Sequence, residues 1–399
     1  MKITDTYTNR KTDSFALFAL GFRPFFLGGG LYAVCSVAVW FLMLGFSIPV
    51  NLQLPALSWH AHEMLYGYTM AVIAGFLLTA VRNWTGYATP TGLPLAGLFM
   101  LWLAARIMPY LPFASALPLM ALFDLLFSVA LVVAVTVPVV RAKAWRQLAI
   151  IGKVMLLLAG NALFYAGLFG WWQVDSRFGL YFGLYLIVAL ILTMARRVIP
   201  FFTERGAGYV VTLVNRRWLD ISSIVIFLVF FICDLFIGEK RLAAVSALIL
   251  FVLHTVRLYG WYTRGIWRKP LLWSLYAGYA FITAGFLLYA LAVFTGVSPF
   301  AAVHAFTYGG IGMLTLSMMS RVALGHTGRD VHEPSRYLNF FLVVLVFGTV
   351  SRIFPVLYDP LNYLTYIVLS QVLWMLAFGG FVWIYTPVLI RPRVDGQPG

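Results

Sequence analysis

Apolar stretches alternate with short polar breaks along the whole chain, at roughly 24–47, 60–81, 93–109, 113–139, 148–170, 179–199, 218–237, 241–260, 271–295, 300–324, 338–357 and 363–389. Each is near the ~20 residues that a helix needs to cross a bilayer, where lipid offers the backbone no hydrogen-bond partner. The pattern predicts an all-α, polytopic membrane bundle of about twelve transmembrane helices. The third stretch is the shortest, because Arg106 and Pro109 close it early. With connectors this brief, one membrane domain is expected over 15–390, with polar tails at 1–14 and 391–399. The first tail has no apolar core before a small-residue cleavage site, so it reads as a retained segment.

Composition agrees with the pattern. Hydrophobic residues make up 62% of the 399 and charged residues 10%, against roughly 45–50% and 25% in soluble domains. A net charge of +15 raises the question of a nucleic-acid partner, and the placement of the charge answers it. With the N-terminus placed in the cytoplasm, 23 of the 28 lysines and arginines fall on the inner side. Only Arg106, Arg177, Lys240, Arg241 and Arg352 fall outside. That is a topology signal. It predicts an inner-membrane protein with both termini cytoplasmic, bathed in lipid and without a nucleic-acid partner. The two cysteines, Cys35 and Cys233, lie far apart in apolar segments. They exclude a disulfide scaffold and a thiolate zinc site, and no C-x-x-C-H run exists for covalent haem attachment.

Six histidines then carry the chemistry. His60 and His62 open the second helix and His304 lies near the start of the tenth, both at the outer level. His62 is followed by Tyr66-Gly67 and His304 by Tyr308-Gly309, and each runs on to a Thr-Gly pair, Thr85-Gly86 and Thr327-Gly328. The two histidines are 242 residues apart, twice 121. Midway, helix 6 ends in Arg196-Arg197-Val198, much as helix 10 ends in Arg321-Val322. These spacings suggest a diverged threefold repeat of four helices. Histidine inside a membrane is costly and marks a functional site unless it only bridges helices. Axial ligation of a haem iron by His62 and His304 is the sharper reading.

His60 and His62 project about 200° apart on a helix, so His60 is expected to begin a second metal site on the other face. Glu63, three residues beyond His60, would orient an imidazole or carry protons, unless it sits at headgroup level. Tyr66 and Tyr308 share the faces of their histidines and are expected in supporting or proton-path roles. Asp124 and Asp234 are either proton-path residues or partners for Arg106 and Arg352. Met64, Met70, Met313, Met318 and Met319 are read as packing. Zinc-protease, Walker A and dinucleotide signatures are absent.

At these residues the chain resembles the NnrS family of bacterial inner-membrane proteins, described as haem- and copper-containing and linked to nitric oxide. The matching segments are Gly21-Phe-Arg-Pro-Phe-Phe26, Trp59-His-Ala-His-Glu-Met64, Gly75-Phe-Leu-Leu-Thr-Ala-Val81, Asn83-Trp-Thr-Gly86, Met194-Ala-Arg-Arg-Val-Ile-Pro-Phe-Phe202 and Arg321-Val-Ala-Leu-Gly-His-Thr-Gly-Arg329. The resemblance implies haem b, a copper ion as well, and a role in nitric oxide metabolism or resistance to nitrosative stress. It leaves open whether the protein is an enzyme, such as a nitric-oxide-linked oxidoreductase, and which electron donor would serve it. Its histidine-bearing motifs fall on His60, His62, His304 and His326. His326, in a Gly-His-Thr-Gly loop, would hold a metal or cap a turn. Where relatives often carry histidine in helix 9, this chain has Tyr276. The competing expectation is a secondary transporter of a metal or small solute without a redox cofactor.

Overall fold

The computed structural model describes residues 15–50, 52–171, 173, 175–355 and 359–397. Among them the chain forms twelve long helices and no strand. They are α1 (Phe22–Gly45), α2 (Ala56–Thr85), α3 (Gly92–Tyr110), α4 (Ala116–Arg141), α5 (Trp145–Leu168), α6 (Ser176–Gly206), α7 (Arg217–Ile237), α8 (Lys240–Trp261) and α9 (Pro270–Thr295). The last three are α10 (Phe300–His304, Ala305–Gly312 and Met313–His326), α11 (Leu338–Ile353) and α12 (Tyr363–Ile390). Ten are long and apolar enough to cross a membrane by themselves. The protein is a multi-pass membrane protein of the expected all-α class. The expected tail at 1–14 lies outside the described residues, as does the end of the eleventh stretch at 356–358.

Helices α2, α6 and α10 occupy the centre. The apolar window of α2 is 83% buried and that of α6 67%, while the other eight spans with such a window stay at 44% or less. The three are tied pairwise. Tyr68 Oη of α2 meets Thr315 Oγ1 of α10 at 2.5 Å, and Tyr66 of α2 donates to the Gly179 carbonyl of α6 at 2.7 Å. Near the opposite end the Arg321 guanidinium of α10 lies 3.7 Å over the Phe202 ring of α6.

Two of the central helices share a local irregularity. The backbone widens to a π-helical turn over Glu63–Thr69 in α2 and over Ala305–Gly312 in α10, directly after His62 and His304. Such turns insert an extra residue and shift the side chains beyond it. The tyrosine four positions on behaves alike in both. Tyr66 reaches the Gly179 carbonyl and Tyr308 the Ser370 carbonyl, each at 2.7 Å. Gly183 and Gly348 leave the space, since a Cβ on either would collide with the tyrosine hydroxyl.

The ring of outer helices closes at the arginine-rich end. Arg23, fully buried in the first turn of α1, donates from Nη1 to the carbonyls of Leu389 (2.8 Å) and Arg391 (2.7 Å) at the end of α12. The starts of α1 and the end of α12 therefore share one end of the bundle. The segment after α12 is docked there. Val394 N donates to the Thr327 carbonyl at 3.1 Å, and Arg393 Nη1 to the His326 carbonyl at 3.0 Å.

Candidate functional site

The far end, opposite those arginines, holds a buried ionic network built from α1 to α5. Arg106 of α3 donates to Glu63 Oε2 at 2.7 Å and to Asp124 Oδ1 at 2.5 Å. Asn161 Nδ2 and the Tyr165 hydroxyl of α5 donate to Asp124 Oδ2 at 2.9 and 3.1 Å, and the Tyr32 hydroxyl of α1 to Glu63. His62, wholly buried, completes the set: Nδ1 lies 2.9 Å from Glu63 Oε1 and Nε2 2.9 Å from Asn161 Oδ1. The ring stacks on Phe164 with centroids 4.4 Å apart.

The hydrogen-bond directions assign the protons here. Asn161 must turn its amide nitrogen to Asp124, so its oxygen faces His62, and both imidazole nitrogens look at acceptors. A ring so placed donates from both nitrogens and keeps no lone pair for a metal. Two cations, His62 and Arg106, then balance two carboxylates, Glu63 and Asp124. An unbalanced buried charge would cost several kcal/mol.

His62 and His304 have different hydrogen-bond partners in the structure. His304 faces another partner. Its Nδ1 lies 2.7 Å from the Phe300 carbonyl one turn back, which fixes the proton there and leaves Nε2 with the lone pair. Arg352 Nη2 of α11 donates to that Nε2 at 3.1 Å and its Nη1 to the Tyr363 hydroxyl at 2.9 Å. His60, on the other face of α2, is the imidazole within electrostatic reach of both His304 and Arg352. Its ring stacks on Trp40 of α1, 4.7 Å apart and within 5° of parallel. His60 Nδ1 is buried and has no hydrogen-bond partner.

The remaining histidines stand apart. His326 ends α10 with its ring 5.7 Å from Phe22. Its carbonyl, and not its ring, carries its hydrogen bond. His254 of α8 meets the Tyr279 hydroxyl at 2.7 Å, an interhelical bridge. Tyr276 reaches the Leu258 carbonyl at 3.0 Å. Asp234 pairs with Lys240 at 2.7 Å and accepts from Tyr185 at 2.6 Å, so Arg106 finds its expected carboxylate in Asp124 while Arg352 finds a histidine. Among the described residues no three His, Cys, Asp or Glu side chains converge to hold an ion.

The family model described as NnrS protein matches residues 16–393, from before α1 to beyond α12. The chain belongs to the NnrS family. No curated protein matches it. Two of the motif segments by which NnrS resemblance is read meet at the arginine-rich end: Arg23, from the first, caps α12, and its neighbour Phe22 packs against His326. The Trp-His-Ala-His-Glu-Met segment supplies the far end, giving His60 to one site and His62 with Glu63 to the other. Reading the sequence of this NnrS protein missed Asn161, Trp40 and Tyr32. A lone amide inside the apolar run of α5 was the available signal for the first.

Proposed function

We propose that this NnrS protein carries a b-type haem at the far end of its central helices and acts in nitric oxide metabolism or the response to nitrosative stress. The observation that carries this reading is that His60 and His304, delivered by two central helices, lie within electrostatic reach of each other and of Arg352. The donor set fits haem. His304 has its proton anchored on the Phe300 carbonyl, as ligating imidazoles do. His60 offers a buried nitrogen with no other partner. Arg352, which donates to His304 Nε2 in this structure, would be released by ligation as a cation for the anionic propionates. Among the described residues no third His, Cys, Asp or Glu converges with the two imidazoles to hold a copper ion.

When bound, the haem supplies an iron centre that takes up nitric oxide and electrons. The chain's own residues would do the rest. Trp40 holds the His60 ring flat, and Phe300 fixes the tautomer of His304. The network around Glu63 holds protons close by, on the opposite face of the same helix. A reading as transporter has less support, since α2 and α10 only widen into π turns at the centre, whereas many transporters bind substrate on unwound, interrupted helices. A reduced-minus-oxidised spectrum of the purified protein tests the proposal. A b-type band that shifts with nitric oxide is expected, and a colourless preparation from haem-replete cells would contradict it.

A further inference from the structure

A cavity of about 600 Å³ opens at the arginine-rich end, between the loop that follows α10 and the last turns of α12. This is within the range of small-molecule sites. Its walls divide by chemistry. Leu324, Ile384 and Val388 make an apolar side, while Arg329, Asp330 and Glu333 bring charge from the loop. Tyr337 and Trp383 form the rim, with ring centroids 5.3 Å apart. Trp383 is 61% exposed on the outside of the bundle, the place of an interfacial aromatic.

The Arg329 guanidinium forms no ion pair or hydrogen bond among the described residues, and its Nη1 is buried without an acceptor. A buried guanidinium nitrogen left so is costly, and an anionic oxygen would relieve it. The carboxylates of Asp330 and Glu333 are in no ion pair either; Asp330 only caps the His332 amide, at 2.7 Å. Arg336, whose Nη2 donates to the Tyr337 hydroxyl at 2.6 Å, and Arg391, within electrostatic reach of Arg329, add positive charge nearby. The cavity thus presents an unmet cation beside two unmet anions, under an aromatic rim and next to an apolar wall.

We infer that this cavity takes the headgroup of a zwitterionic aminophospholipid, its phosphate on Arg329 and its ammonium toward Asp330 and Glu333. A purely anionic headgroup would bring no ammonium to pair with the two carboxylates. A choline headgroup has no N–H to donate to them. An acyl chain has Leu324, Ile384 and Val388 to lie on. Bound there, the lipid would clamp the α10–α11 loop to α12.

Native mass spectrometry of the full-length protein, titrated with phosphatidylethanolamine, phosphatidylcholine and phosphatidylglycerol in turn, tests this. Phosphatidylethanolamine is expected to be retained in preference to the other two. Arg329→Ala should lower that retention about tenfold, the worth of one charge-assisted hydrogen bond. Glu333→Gln with Asp330→Asn should abolish the preference over phosphatidylcholine while phosphate-dependent retention survives. Equal retention of all three lipids by the unmutated protein would overturn the inference without any variant having to fold. So would recovery of a different occupant, such as a quinone, in place of phospholipid.

Discussion

At the scale of residues, the far end separates two tasks that the chain places two positions apart. His60 keeps a nitrogen free within electrostatic reach of His304, and His62 spends both of its nitrogens in the ionic network. Arg106 is the centre of that network, so Arg106→Leu should destabilise the protein by about 3–5 kcal/mol, the cost of leaving buried carboxylates without their cation. Thermal unfolding in detergent would show it, and a change below 1 kcal/mol would mean that the pair contributes nothing. Trp40→Ala empties a core position, so it should cost about 3–5 kcal/mol and also loosen the His60 ring, read as a broadened haem spectrum. The sequence made the opposite projection of His60 and His62 legible through helical period alone. Which face turns toward α10 depends on the rotation of α2 in the bundle, which no local pattern encodes.

At the scale of elements, the π turns and their tyrosines set the depth and spacing of the central helices. Gly183→Ala and Gly348→Ala each force a Cβ onto a tyrosine hydroxyl, and each should cost about 1–3 kcal/mol by overpacking. Gly97→Ala is the matched control, with nothing within 4 Å of its Cβ. Equal melting temperatures for all three would contradict the account. The docked C-terminal segment has its own pH dependence. A hydrogen bond from Arg393 holds the exposed Asp395 carboxyl down from 3.8 to about 2. A depressed carboxyl favours the docked form above its ordinary value, and that contribution is lost as pH falls from 3.8 through about 2. A fluorophore at Gln397→Cys should report a tail of constant mobility above that window and greater mobility below it. The sequence marked these tyrosines by their matched spacing, but a π turn has no clear composition of its own.

At the scale of the whole molecule, twelve apolar runs and the distribution of arginine made the fold legible, because lipid leaves a helix few alternatives. The central position of α2, α6 and α10 was visible only as arginines at matched ends. Packing order around a bundle is set by long-range fit, of which Gly160 against Phe182 or Gly28 against Phe99 are instances, and single helices do not display it. The central claim is that His60 and His304 hold haem while His62 holds protons. Haem content and the reduced spectrum of His60→Ala, His304→Ala and His62→Gln, measured side by side on folded protein, test it most directly. The account predicts that the first two lose the b-type band and that His62→Gln keeps it. Loss of the band in His62→Gln, with His60→Ala unaffected, would contradict it.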